Sequence, residues 1–272
     1  MFDTISSQAS KLVKLTSGVK KNYSKTKLLT ITSGKGGVGK STITANMAFL
    51  LARRGFNVVV LDADIGLANM QVLFDLKPQN TLFEYINGIK TLDEVITKTV
   101  YENVSLIAGK SGYQYTSNKN SFLFSRIVKD LIALNRYDIL LVDTGAGLND
   151  YVREFLAVSD NILAITTTDP SALTDVYSLL KMLSLDKNKL MLCFNHTRTH
   201  QIGETIANSL VNLGKKNSLR EDFMVKYIGN VSTSANILTT GRLRKLFVNE
   251  FSTDEITKQL QIIIDKILLN IH

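Results

Sequence analysis

Residues Gly34-Lys35-Gly36-Gly37-Val38-Gly39-Lys40-Ser41 place glycines, two lysines and a hydroxyl between an apolar run and a helical pattern. Glycines let a backbone curl so that successive N–H groups face one anion. A helix opening at the same point adds its partial positive charge. The spacing fits G-x-x-x-x-G-K-[ST], and the strand-then-helix context is the one that pattern needs. The chemistry is the cradling of a nucleotide polyphosphate. Lys40 is positioned to reach the β- and γ-phosphates, and Ser41 to ligate Mg²⁺. Gly34, Gly36, Gly37, Val38, Gly39 and Thr42 complete the contacts of the loop. One lysine suffices for the phosphate, so Lys35 needs a separate explanation.

Phosphoryl transfer also needs an acid near the cation, at the end of a neighbouring strand. "ILLVD" supplies Asp143, and "VVVLDAD" supplies Asp62 and Asp64. A single aspartate after a strand is commonly a turn residue. Three of them beside a phosphate loop point to a shared crevice.

The elements that must position these groups alternate along the chain. Apolar runs lie at 28–32, 58–63, 104–109, 138–143, 161–167, 190–195 and 224–229. Helical stretches separate them, among them 41–54, 121–134 and 171–185. Buried strands alternating with helices predict a parallel sheet covered on both faces. Ligands of such sheets sit at the carboxyl ends of the strands. The expected fold is α/β, a P-loop NTPase three-layer α/β/α sandwich with a mostly parallel central sheet.

The 272 residues are 44% hydrophobic and 21% charged, which suits a packed core, and the net charge of +8 favours anionic partners. Cys193 is the one cysteine, set in the apolar run "LMLCFN", and is read as a buried, inert thiol. It excludes a disulfide within these residues and a cluster bridged by several thiolates. No apolar run reaches the length of a membrane span. A cytoplasmic location is expected. Residues 1–26 are read as a short amphipathic helix, with Phe2, Ile5, Ala9 and Leu12 at helical spacing, followed by a basic linker. Residues 27–272 form the main domain.

The loop resembles the deviant Walker A motif, K-G-G-x-x-G-K-[ST], of the MinD/ParA ATPases. That resemblance implies ATP as nucleotide and an ATP-dependent homodimer, with Lys35 crossing to the partner's nucleotide and acting there like an arginine finger. "DADIGLAN" resembles switch I of the family. Asp64 would then orient the attacking water and Asp62 would support the metal shell. "DTGAGL" resembles switch II, with Asp143 as the Walker B acid acting through water and the Gly145 N–H offered to the γ-phosphate. Asn195 stands where the family places an amide against adenine; a strand-ending turn residue is the other reading. The blocks "TSGKGGVGKS", "LDADIGLAN", "IAGKSG", "VDTGAGL", "TTTDPSALTDVYSLLK" and "RKLFVNEFSTDEITKQL" resemble, in order, the flagellar-number branch of the family, called FlhG, FleN or YlxH.

That branch carries an N-terminal D-Q-A-x-x-L-R motif that stimulates the GTPase FlhF. Here Gln8, Ala9 and Leu12 match, while Ser7 and Val13 replace the acid and the arginine. An amphipathic tail with no defined partner is the competing reading. Flagellar switch or transcription proteins are further partners the resemblance allows. At the other end, Ser252-x-x-Glu255 reads as a capping box. Ile256, Leu260, Ile263, Ile264, Ile267, Leu268 and Ile271 then form one helical stripe. The stripe suits core packing, and contact of the last turns with the inner face of the cell membrane is the alternative. A DNA-segregation or division-site-positioning ATPase is the second functional reading; the sequence shows no helix-turn-helix, and nucleic acid is not the expected partner.

Overall fold

A computed structural model describes residues 26–65, 68–110, 123–197, 199–216 and 219–271. The expected N-terminal helix, the Gln8 motif and most of the linker lie outside these residues. Eight strands form one sheet: β1 Lys27–Ser33, β2 Val58–Ala63, β3 Ile96–Lys98, β4 Val104–Ile107, β5 Ile139–Ala146, β6 Ile162–Thr166, β7 Lys189–Thr197 and β8 Met224–Ser232. Their spatial order is β3-β4-β2-β5-β1-β6-β7-β8. Every pairing is parallel except β3 with β4.

The sequence reading carries no strand at β3. It is three residues long, follows the helix Leu92–Val95 without a turn residue between, and is only partly buried. A strand that short has no period to read. The inner strands are the runs the sequence announces, because both of their faces are covered.

One face of the sheet packs Leu29, Ile31, Val58 and Val60 against the helices Lys40–Arg53 and Glu255–Leu268. The opposite face carries two further clusters. One lies under Pro170–Asp186 and His200–Lys216, the other under Leu123–Ala133 and Asp150–Val158. This is the expected three-layer sandwich. Cys193 is fully buried, and desolvation pushes its thiol up to about 12, so the thiolate is not formed at neutral pH.

The C-terminal stripe is core: Ile256, Leu260, Ile263, Ile264 and Ile267 are all buried. Gly229 permits the close approach, since a Cβ there would stand 2.9 Å from Ile263 Cγ1. The cap differs from expectation. The helix starts at Glu255, and Asp254 rather than Ser252 accepts the Ile256 N–H, at 2.8 Å. A carboxylate directly before the first turn out-competes a hydroxyl two residues earlier. Among the described residues, no helix is long and apolar enough to cross a membrane.

Candidate functional site

β1 ends at Ser33 and the helix Lys40–Arg53 begins seven residues later, so the six residues 34–39 are the whole connection. Gly37 and Gly39 sit at φ 78 and 87, where a side chain strains the backbone. Close packing adds a second reason for glycine. A Cβ on Gly39 would lie 2.3 Å from Asn195 Nδ2, and one on Gly34 2.6 Å from the Asp175 backbone carbon.

Lys40 is 6% exposed, and its Nζ lies 2.9 Å from Asp143 Oδ1. The hydroxyl of Thr44, one turn on, donates to the same oxygen at 3.1 Å. The other carboxylate oxygen, Asp143 Oδ2, is buried and has no hydrogen-bond partner among the described residues; the same holds for Ser33 Oγ. Buried polar atoms without partners are costly, so these mark where a ligand is expected.

The crevice in front of the pair has a volume of about 630 Å³. It is lined by residues 36–42 of the loop and, from the far side, by Asp64, Asn69, Ala146 and Tyr151. A glycine-rich loop, a lysine, a hydroxyl and an unsatisfied carboxylate fit a nucleotide polyphosphate with a divalent cation. Residues 36–42 would hold the phosphates. Ser41 would ligate the cation, with Asp143 and Asp62 behind it. Among the described residues no three His, Cys, Asp or Glu side chains form a metal-holding group. Phosphate oxygens and water must therefore complete the shell, as is usual for Mg²⁺.

Asp62 and Asp143 are cross-strand partners in the β2–β5 register. Burial, and then the Asp143 charge, push the Asp62 carboxyl up to about 7; N–H groups of Met70 and Asp64 and the charge of Lys40 oppose the shift. Half-buried Asp64 is raised as well, by desolvation first, with Lys40 lowering and Asp143 raising it. Acids held off their usual range inside one crevice are what proton-handling sites look like.

The sequence-derived residues therefore sort by place. Gly36, Gly37, Val38, Gly39, Lys40, Ser41, Thr42 and Asp64 line the crevice. Asp62 and Asp143 stand buried behind it. Gly34 packs against the helix Pro170–Asp186, and exposed Lys35 places its Nζ 2.6 Å from Ser171 Oγ on that helix. Gly145 lies between Asp64 and Tyr151. Asn195 is buried, its amide donating to the Val38 carbonyl at 2.8 Å, so it braces the loop from behind. Thr44, Asn69 and Tyr151 were not legible as site residues. Thr44 had one weak signal, its position one helical turn after Lys40.

A parallel sheet whose strand-to-helix glycine loop buries a lysine on an aspartate defines a P-loop NTPase. A family model described as "ParA: NUBPL iron-transfer P-loop NTPase" matches residues 24–268. The flagellum site-determining protein YlxH of Helicobacter pylori is 34% identical over 253 residues, 90% of this chain and 84% of that protein. The antiactivator FleN of Pseudomonas aeruginosa is 31% identical over 205 residues, 74% of this chain and 72% of that protein. In fold, a chain of the MinC:MinD cell division protein complex of Aquifex aeolicus aligns with a TM-score of 0.75 at 20% identity, covering 89% of this chain and 95% of that one. MinD of Pyrococcus horikoshii, solved with Mg-ADP, aligns with a TM-score of 0.72 at 22% identity, covering 89% and 96%. The chain belongs to the ParA/MinD family of P-loop ATPases, in the flagellar-number branch that holds YlxH and FleN.

Proposed function

We propose that this ATPase is an ATP-dependent dimerisation switch that controls flagellar number or assembly, acting with a GTPase of the FlhF type and at the cytoplasmic membrane. The flagellar part is supported by the relatives named for flagellum site determination and for antiactivation. The switch is carried by one observation. Lys35 leaves the phosphate loop on its outer side, exposed, and does not line its own crevice. A second cation beside a complete phosphate site serves a nucleotide that belongs to another copy.

In this reading Lys40 and the loop N–H groups bind ATP, and Ser41, Asp62 and Asp143 hold Mg²⁺. The bound cation neutralises charge on the phosphate oxygens. Asp64, on the opposite wall, orients the attacking water, and the Gly145 backbone faces the γ-phosphate. Asn195, which holds the loop from behind, also edges the adenine site. Catalysis of this kind rests on positioning and electrostatics, so hydrolysis slow enough to time a change of state is expected. The Gln8 segment engages the GTPase. Membrane contact draws on cationic surface such as Arg242, Arg244 and Lys245, which are exposed, because the C-terminal apolar stripe is already buried.

An iron-transfer activity, which the family model's description names, finds no ligands here, since the sequence holds one cysteine and it is buried.

Light scattering tests the switch. Asp64→Ala with ATP and Mg²⁺ is expected at twice the monomer mass, and with ADP at the monomer mass. A mass indifferent to nucleotide would sink the dimer reading and leave a constitutive ATP-binding protein.

A further inference from the structure

Tyr151 belongs to no motif, yet it stands at the reacting end of the crevice. It lies in the first turn of the helix Asp150–Val158, and its half-buried ring packs against the two clusters on that face of the sheet. Its hydroxyl and the Asp64 carboxylate flank one small volume over Gly145. A Cβ built on Gly145 would lie 3.1 Å from the Tyr151 oxygen and 3.3 Å from Asp64 Oδ1. Glycine at 145 leaves that volume open. A Cβ there would press on both oxygens.

Asn149 fixes the start of the helix that carries Tyr151. Its Oδ1 caps the helix by accepting the Val152 N–H at 3.0 Å. Tyr151 lines the crevice, and Asp64 is the carboxylate beside it there.

We propose that Tyr151 is a positioning residue of the hydrolytic centre: its hydroxyl faces Asp64 across Gly145 and donates to that carboxylate when the carboxylate orients the attacking water. The packed ring supplies rigidity, and Gly145 provides the space. A positioned hydrogen bond to a charged group is worth more than a neutral one. It acts on the reacting geometry rather than on substrate affinity. The inference rests on the ATPase reading and deepens it.

The test is Tyr151→Phe, which keeps the packed ring and removes only the hydroxyl. Steady-state ATP hydrolysis should lose about tenfold in kcat with KM little changed, the pattern of an interaction made in the transition state. In an Asp64→Asn background, whose side chain is neutral, the same substitution should alter single-turnover rates by less than about twofold, because coupled residues do not add. Unchanged kcat in Tyr151→Phe, or equal losses in both backgrounds, would overturn the proposal. Wild-type protein without ATP hydrolysis would instead overturn the ATPase reading beneath it.

Discussion

Lys40 and Lys35 leave the same loop a few residues apart and end in opposite surroundings. Lys40 is buried on Asp143, with Thr44 sharing the acceptor oxygen. Lys35 lies in the open, hydrogen-bonded to Ser171 at the start of another helix. A buried ion pair is an internal part whose geometry the fold enforces, and breaking it strands a charge. An exposed lysine on a hydroxyl is held weakly and can exchange partners. The difference separates the lysine that the folded site encloses from the one it leaves at the surface.

The strongest way to break the comparison is Lys40→Met. It leaves Asp143 uncompensated, and urea unfolding should show a loss of about 3–5 kcal/mol together with loss of nucleotide binding. Adding Asp143→Asn should recover much of the stability and none of the binding. If Lys40→Met alone is as stable as wild type, the pair is not the structural element described here.

Asp62 sharpens the same contrast through pH. Its folded pKa of about 7 lies above the usual 3.8, so the folded state holds a proton that the unfolded chain has released. The stability this contributes is fully present below about 4 and is lost as pH rises to about 7. Asp62→Asn should flatten that part of the profile, measured by thermal or urea unfolding without nucleotide. An unaltered slope would place the proton elsewhere.

Asn195→Ala removes one brace of the loop, the bond to the Val38 carbonyl. A loss of about 1 kcal/mol is expected, with weaker nucleotide binding measured by titration calorimetry. Lys35→Ala should show the smallest effect on folding, under about 0.5 kcal/mol. Its consequence is expected in mass: ATP binding remains while the ATP-dependent dimer is lost. A large drop in stability from Lys35→Ala would mean that the two lysines do not differ as their surroundings indicate.

Much of this was legible in residue order because glycine, lysine and strand-ending aspartates carry their physics locally. The phosphate loop needs only its own backbone and one helix, and the inner strands announce themselves by being apolar throughout. What was not legible depends on elements that meet only in space. Tyr151 reads as an ordinary helical aromatic until β5 brings Gly145 and Asp64 beside it. Asn195 reads as an adenine contact or as the end of a strand, and its hold on the loop shows only once the loop closes onto its amide. β3 is too short for any period, and the Asp254 cap was missed because a serine with a glutamate three residues on fits a familiar pattern.

The sheet's two open edges bear on aggregation and on how copies of the chain can meet. β3 offers only three residues, the last of them exposed Lys98. β8 is longer, but Lys226 stands exposed in its first half, and its pairing with β7 shifts register twice. Charge, shortness and bulges are the devices that keep an edge from recruiting another strand. Growth of the sheet from molecule to molecule is therefore discouraged on both sides.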